Sequence, residues 1–120
     1  MPNPIVHWEL NTDDADEARK FYGDLFGWTI NAIPEMNYNL VQTESGRGAD
    51  GDIQHIEEAP KGVTIYVEVD DPQAYLDKAV ELGATVVTPV TVIPDMVTLA
   101  QFADPQGNVF GLVKSEEQDQ

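Results

Sequence analysis

The sequence predicts an α+β domain built from two copies of a strand–helix–strand–strand–strand unit. Two observations lead there. The order of alternating and helical patterns repeats, and recognisable residues recur at a nearly fixed offset. Asp13-Asp14 returns as Asp70-Asp71 at 57 residues, and Gly27 returns as Gly83 at 56. Ile33-Pro34-Glu35-Met36 returns as Ile93-Pro94-Asp95-Met96 at 60, and Gly51-Asp52-Ile53 as Gly107-Asn108-Val109 at 56. One unit of about 55 residues buries little core, whereas two stacked units bury enough to fold. The expected arrangement puts the helices on one face and curls the other face into a cleft.

The first unit, residues 1–58, opens with Ile5–Leu10. Val6, Trp8 and Leu10 alternate with His7 and Glu9, so the strand has an apolar and a polar face. Asp13-Asp14 supplies capping carboxylates for a helix. Ala18, Phe21, Tyr22, Leu25 and Phe26 form its apolar stripe, expected in the core with Trp8 and Trp28, and Gly27 ends it. Strands are expected at 28–33 and 38–42 around the turn Pro34-Glu35-Met36-Asn37. A glycine-rich loop follows at 44–52, then a short strand at 53–56.

The second unit, residues 59–115, repeats this. Val63–Val69 alternates Val63, Ile65, Val67 and Val69 with Thr64, Tyr66 and Glu68. Asp70-Asp71-Pro72 opens a helix with a cap and a first-turn proline. Its stripe is Tyr75, Leu76, Ala79 and Val80, and Gly83 closes it. Strands follow at 85–93 and 97–103. Asp104-Pro105-Gln106-Gly107-Asn108 is a turn, and 109–113 is the last strand. Residues 116–120 form a polar tail.

Composition removes several functions. The 120 residues hold 22 acidic and 6 basic side chains, a formal net charge of −16. Such a chain repels phosphate backbones and anionic bilayers, so neither nucleic acid nor membrane is an expected partner. No apolar run is long enough to span a bilayer and no secretion signal opens the chain, so the expected compartment is the cytoplasm. Without cysteine there is no disulfide, thiol catalysis or thiolate metal site. Residues 1–58 carry 12 acids and 3 bases and residues 59–120 carry 10 and 3, so the acidity is spread evenly. General solubility explains this, and so does adaptation of a halophile to high salt.

The sequence resembles the vicinal oxygen chelate superfamily, which contains glyoxalases, extradiol dioxygenases, and the fosfomycin and bleomycin resistance proteins. The resemblance runs over residues 5–113. Its motifs are Val6-His7-Trp8-Glu9-Leu10 before Asp13-Asp14, Phe21-Tyr22 through Leu25-Phe26-Gly27-Trp28, Tyr66-Val67-Glu68-Val69-Asp70-Asp71, Leu82-Gly83-Ala84, and Phe102-Ala103-Asp104-Pro105 with Gly107-Asn108. It implies two βαβββ modules whose curved mixed sheet surrounds a cavity, a divalent metal on the cavity floor, ligands from the first and last strand of each module, and pairing into a homodimer. Carried onto this chain, the first-strand slots are His7 and Thr64, and the last-strand slots are His55 and Gly111. Module one thus offers the chain's two histidines, and module two offers no transition-metal ligand.

Two histidines fall short of the usual three protein ligands. The leading expectation is therefore a small-molecule-binding protein with no resident cofactor, its ligand held by His7, Glu9, Thr64, Tyr66 and Glu68. The alternative is a glyoxalase- or dioxygenase-like enzyme that holds a divalent ion (zinc, nickel, iron or manganese) on His7 and His55, with Glu9 as a third ligand. A further alternative is a metal-free enzyme with Glu9 or Glu68 as general base. Arg47, in the glycine-rich loop, is either a contact for an anionic ligand or a solvated side chain. No nucleophile elbow, dinucleotide fingerprint or phosphate loop is present.

Overall fold

The computed structural model describes residues 3–33, 38–43, 48–59 and 61–115. The turn at 34–37, the loop residues 44–47 with Ser45 and Arg47, and the tail at 116–120 lie outside them. The chain order is β1 (Ile5–Asn11), α1 (Ala15–Phe26), β2 (Thr29–Ile33), β3 (Tyr38–Gln42), β4 (Gly51–Gln54), β5 (Gly62–Glu68), α2 (Pro72–Glu81), β6 (Thr85–Ile93), β7 (Val97–Ala103) and β8 (Val109–Ser115). The α+β class and the twice-repeated βαβββ order are those the sequence predicts. Two compact units form, one of residues 7–64 and one of residues 1–6 with 65–120.

In the first unit the strands lie in the order β2-β3-β4-β1. β2 and β4 pair antiparallel with β3, while β1 and β4 run parallel with Glu9 opposite Asp52. Parallel neighbours need a long crossover, and α1 with β2 and β3 supplies it. Asp14 caps α1, accepting a hydrogen bond from Glu17 N at 3.0 Å, and Gly27 ends it at φ 73°, a left-handed conformation that favours glycine. Val41 and Ile53 are fully buried. Asn11 closes β1. Its side-chain amide donates to Ile56 O at 2.9 Å and Ala59 O at 3.1 Å, and its carbonyl accepts from Ile56 N at 2.7 Å, which pins the segment after β4.

Two readings of this unit are corrected. The last strand begins at Gly51, two residues ahead of the expected 53–56, and takes in residues assigned to the loop. The cause is Gly51, where the Trp8 ring and backbone occupy the space a Cβ would need. The helix is also turned from its expected orientation. Its half-buried residues are Ala15, Ala18, Arg19, Tyr22 and Gly23, a face with helical spacing made mostly of small side chains. Phe21, Leu25 and Phe26 are 57%, 58% and 55% exposed, not in the core.

In the second unit the order is β5-β8-β7-β6, with β5 and β8 parallel and the other pairs antiparallel. Asp71 caps α2, accepting from Ala74 N at 3.1 Å, and Pro72 occupies the first turn. Leu76 enters a core of Val69, Ala100 and Leu112, flanked by Val67, Tyr75, Val90 and Phe102. Pro89 is tolerated in β6 because that strand ends the order and its ladder shifts register on both sides of Thr88. The turn at 104–108 is tied by Asp104, whose carboxylate accepts from the backbone N–H groups of Gln106 and Asn108, both at 2.9 Å.

Candidate functional site

Strand alternation puts His7 and Glu9 on one face of β1 and Trp8 and Leu10 on the other. Directly across the parallel ladder, β4 adds Asp52 beside Glu9. Because β4 lies between β1 and β3, the Asp52 side chain stands mid-sheet and is completely buried. One ligand atom from each of His7, Glu9 and Asp52 can be chosen so that all lie within 4.8 Å of one another, and this is the one such group of three among the described residues.

The electrostatics of the group turn on Asp52. Among the described residues neither of its carboxylate oxygens has a hydrogen-bond partner. His7 Nε2 stands 3.6 Å from Oδ1, beyond hydrogen-bond reach. Burial raises the Asp52 pKa above its ordinary 3.8, and the nearby His7 offsets only part of that rise. Glu9 and His7 are half-buried and form the open side of the group. The amide of Gln54 donates to Glu9 Oε1 at 3.4 Å and steadies it.

A buried carboxylate without donors is costly unless protonated or matched by a cation. One imidazole and two carboxylates are suitable donors for zinc, manganese or iron, and the two negative charges balance a divalent ion. The residues present therefore fit the metal that the family resemblance implies.

The structure does not bring His55 to this group. His55 follows β4, with Nδ1 2.8 Å from Thr12 O and Nε2 3.0 Å from Glu57 Oε1. The sequence offset of 56 had matched His55 to Gly111, but that offset fails in the structure, since Gly51 lies in β4 whereas Gly107 lies in a turn. Counted from the helix caps Asp14 and Asp71, Glu9 corresponds to Tyr66. The cross-strand partner of Tyr66 is Gly111, and that of Glu9 is Asp52. Asp52, not His55, thus holds the last-strand slot of module one. The two available clues were the glycine beside it and the Asp52–Ile53 alternation.

In module two, Thr64 and Tyr66 are buried and Glu68 is half-buried. Gly111 lies against the Tyr66 ring as Gly51 lies against Trp8. The Tyr66 hydroxyl accepts from Gln101 Nε2 at 2.8 Å, and Gln101 Oε1 accepts from the Thr88 hydroxyl at 2.8 Å. Gln101, which the sequence did not single out, therefore fixes the position of Tyr66. Among the described residues no helix is long and apolar enough to cross a membrane.

The chain matches known proteins along most of its length. Residues 4–44 match the family described as bleomycin resistance protein-like N-terminal. A "Glyoxylase-like domain-containing protein" of Didymella fabae is 30% identical over 112 residues, covering 87% of this chain and 88% of its own length. A "Putative glyoxylase CFP32" of Mycobacterium bovis is 33% identical over 112 residues, 87% of this chain, and this chain spans only 42% of that relative's length. Among solved structures, a glyoxalase/bleomycin resistance protein/dioxygenase superfamily member from Vibrio splendidus has a TM-score of 0.67 at 18% identity, covering 95% of this chain and 99% of its own. A Streptomyces coelicolor methylmalonyl-CoA epimerase, in complex with 2-nitronate-propionyl-CoA, has a TM-score of 0.64 at 16% identity, covering 97% of this chain and 96% of its own. The repeated βαβββ order and these matches together make the chain a member of the vicinal oxygen chelate superfamily, with glyoxalase-like and bleomycin-resistance-like relatives.

Proposed function

We propose that this protein binds a small oxygen-bearing organic molecule at a divalent cation held by His7, Glu9 and Asp52. The observation that carries the proposal is the buried Asp52 carboxylate, which has no hydrogen-bond partner among the described residues and lies beside an imidazole and a second carboxylate. A bound cation would supply a Lewis acid that polarises oxygen atoms of the ligand. The chain's own contributions are distinct. Asp52 forms a dry floor, His7 and Glu9 form the open side, and Gln54 orients Glu9. The relatives named for glyoxylase-like proteins and the epimerase-like fold support an enzymatic role on a small metabolite.

A second reading rests on the same burial. In it burial, which raises the Asp52 pKa, favours the protonated carboxyl facing His7 in a metal-free binding site, with Glu9 as the available general base. Elemental analysis of untagged protein, followed by zinc titration, separates the two. The first reading predicts one ion per chain, lost in His7→Ala and in Asp52→Asn and kept in His55→Ala. Binding of no ion, or loss of the ion in His55→Ala alone, would overturn it. Organic-ligand binding by ion-free protein would favour the second reading.

A further inference from the structure

The apolar side of β1 has its own hollow. Trp8 and Leu10 of β1, Tyr22 of α1, Trp28, Ile53 of β4 and Val63 of β5 line a cavity of about 250 Å³. Tyr22 is the α1 side chain on its wall, and the half-buried neighbours of Tyr22 on that helix include the small residues Ala15, Ala18 and Gly23. The aromatic walls are braced. Trp8 Nε1 donates to Ala49 O at 3.1 Å, and the Trp8 ring rests against Gly51. Trp28 lies 5.6 Å from Trp8, 6.2 Å from Tyr22 and 4.9 Å from Phe26, centroid to centroid. Alternation along β1 puts this hollow on the face opposite His7 and Glu9, so it is independent of the proposed cation group.

From this geometry we propose a second binding site, for a flat, uncharged aromatic molecule of one or two rings. Aromatic side chains make half of the lining among the described residues and offer ring faces and edges to such a guest. Among the described residues no charged side chain lines the hollow, so a charged ligand would lose its hydration without a partner there. Anions are further opposed by the net charge of −16. The volume exceeds that of the roughly 150 Å³ apolar cavities that take up benzene. Val63, 64% exposed, forms the rim by which a guest enters.

The two tryptophans of the chain both line the hollow, so they report on it directly. Uniformly ¹⁵N-labelled protein is titrated with unlabelled indole and, separately, with benzoate, and the two side-chain indole N–H resonances are followed. Both shift saturably with indole, with a dissociation constant on the order of 0.1–1 mM for so small a ligand, and benzoate leaves them in place. Val63→Phe, at the exposed rim, closes the entrance and abolishes the shifts while backbone resonances of β6–β8 stay where they are. Unsaturable shifts, equal response to benzoate, or undiminished indole binding by Val63→Phe would each overturn the proposal.

Discussion

His7 Nε2 stands 3.6 Å from Oδ1 of Asp52, a carboxylate with no exposure and no hydrogen bond among the described residues. The pair therefore has one partner at the surface of the group and one sealed beneath it. Asp52 carries the cost of burial, and His7 offsets part of it.

That cost sets a pH dependence. The folded pKa of Asp52 is raised above the ordinary 3.8 that the unfolded chain retains. Between those two values the folded state binds more protons, so the Asp52 contribution to stability falls as pH rises through the window. Asp13, paired with Lys61 at 2.7 Å, and Asp104, held by Asn108, are shifted down and contribute the opposite slope. Asp52→Asn isolates the first term. Urea unfolding of the ion-free protein at pH 4, 6 and 8 should show the variant gaining on the native chain as pH rises. A constant difference would remove the burial argument.

Gly51 marks a close approach. Gly51→Ala drives a methyl group into the Trp8 ring and backbone and should cost about 1–3 kcal/mol by overpacking. Chemical denaturation gives that number, and circular dichroism should show the strands retained. Gly111→Ala, facing the Tyr66 ring, should behave alike.

The two helices should respond differently to truncation. Leu76 is 3% exposed within its core, so Leu76→Ala should cost about 2–5 kcal/mol. Phe21 is 57% exposed, so Phe21→Ala should cost far less, about 1 kcal/mol or below. Equal losses would mean that α1 buries its apolar stripe after all.

Net charge gives a salt prediction. With 22 acids against 6 bases, self-repulsion opposes the compact state at low ionic strength. The melting temperature should rise as sodium chloride goes from low to about 1 M, where the screening length is roughly 3 Å. A flat profile would leave general solubility as the explanation of the acidity.

Much of the fold was legible because alternation and helical spacing are local properties. Val63–Val69 announced β5 by its period, and Asp71-Pro72 announced α2 by its cap. His7 and Glu9 were legible for the same reason, since alternate residues share a face. Asp52 was not. Its place depends on β4 pairing beside β1, and that register is set by Gly51 against Trp8, a tertiary contact no local pattern encodes. The exposure of Phe21, Leu25 and Phe26 was not legible because their spacing suits a buried stripe, whereas of that stripe only Ala18 and Tyr22 are half-buried.

The most direct test follows the imidazole nitrogens of ¹⁵N-labelled protein during a zinc titration. His7 and His55 are the only histidines, so each signal can be assigned by single substitution. One equivalent of zinc should move the His7 signals and leave those of His55, which remains bonded to Thr12 and Glu57. Movement of His55 with His7 unchanged, or no movement of either at stoichiometric zinc, would contradict a cation site built on His7, Glu9 and Asp52.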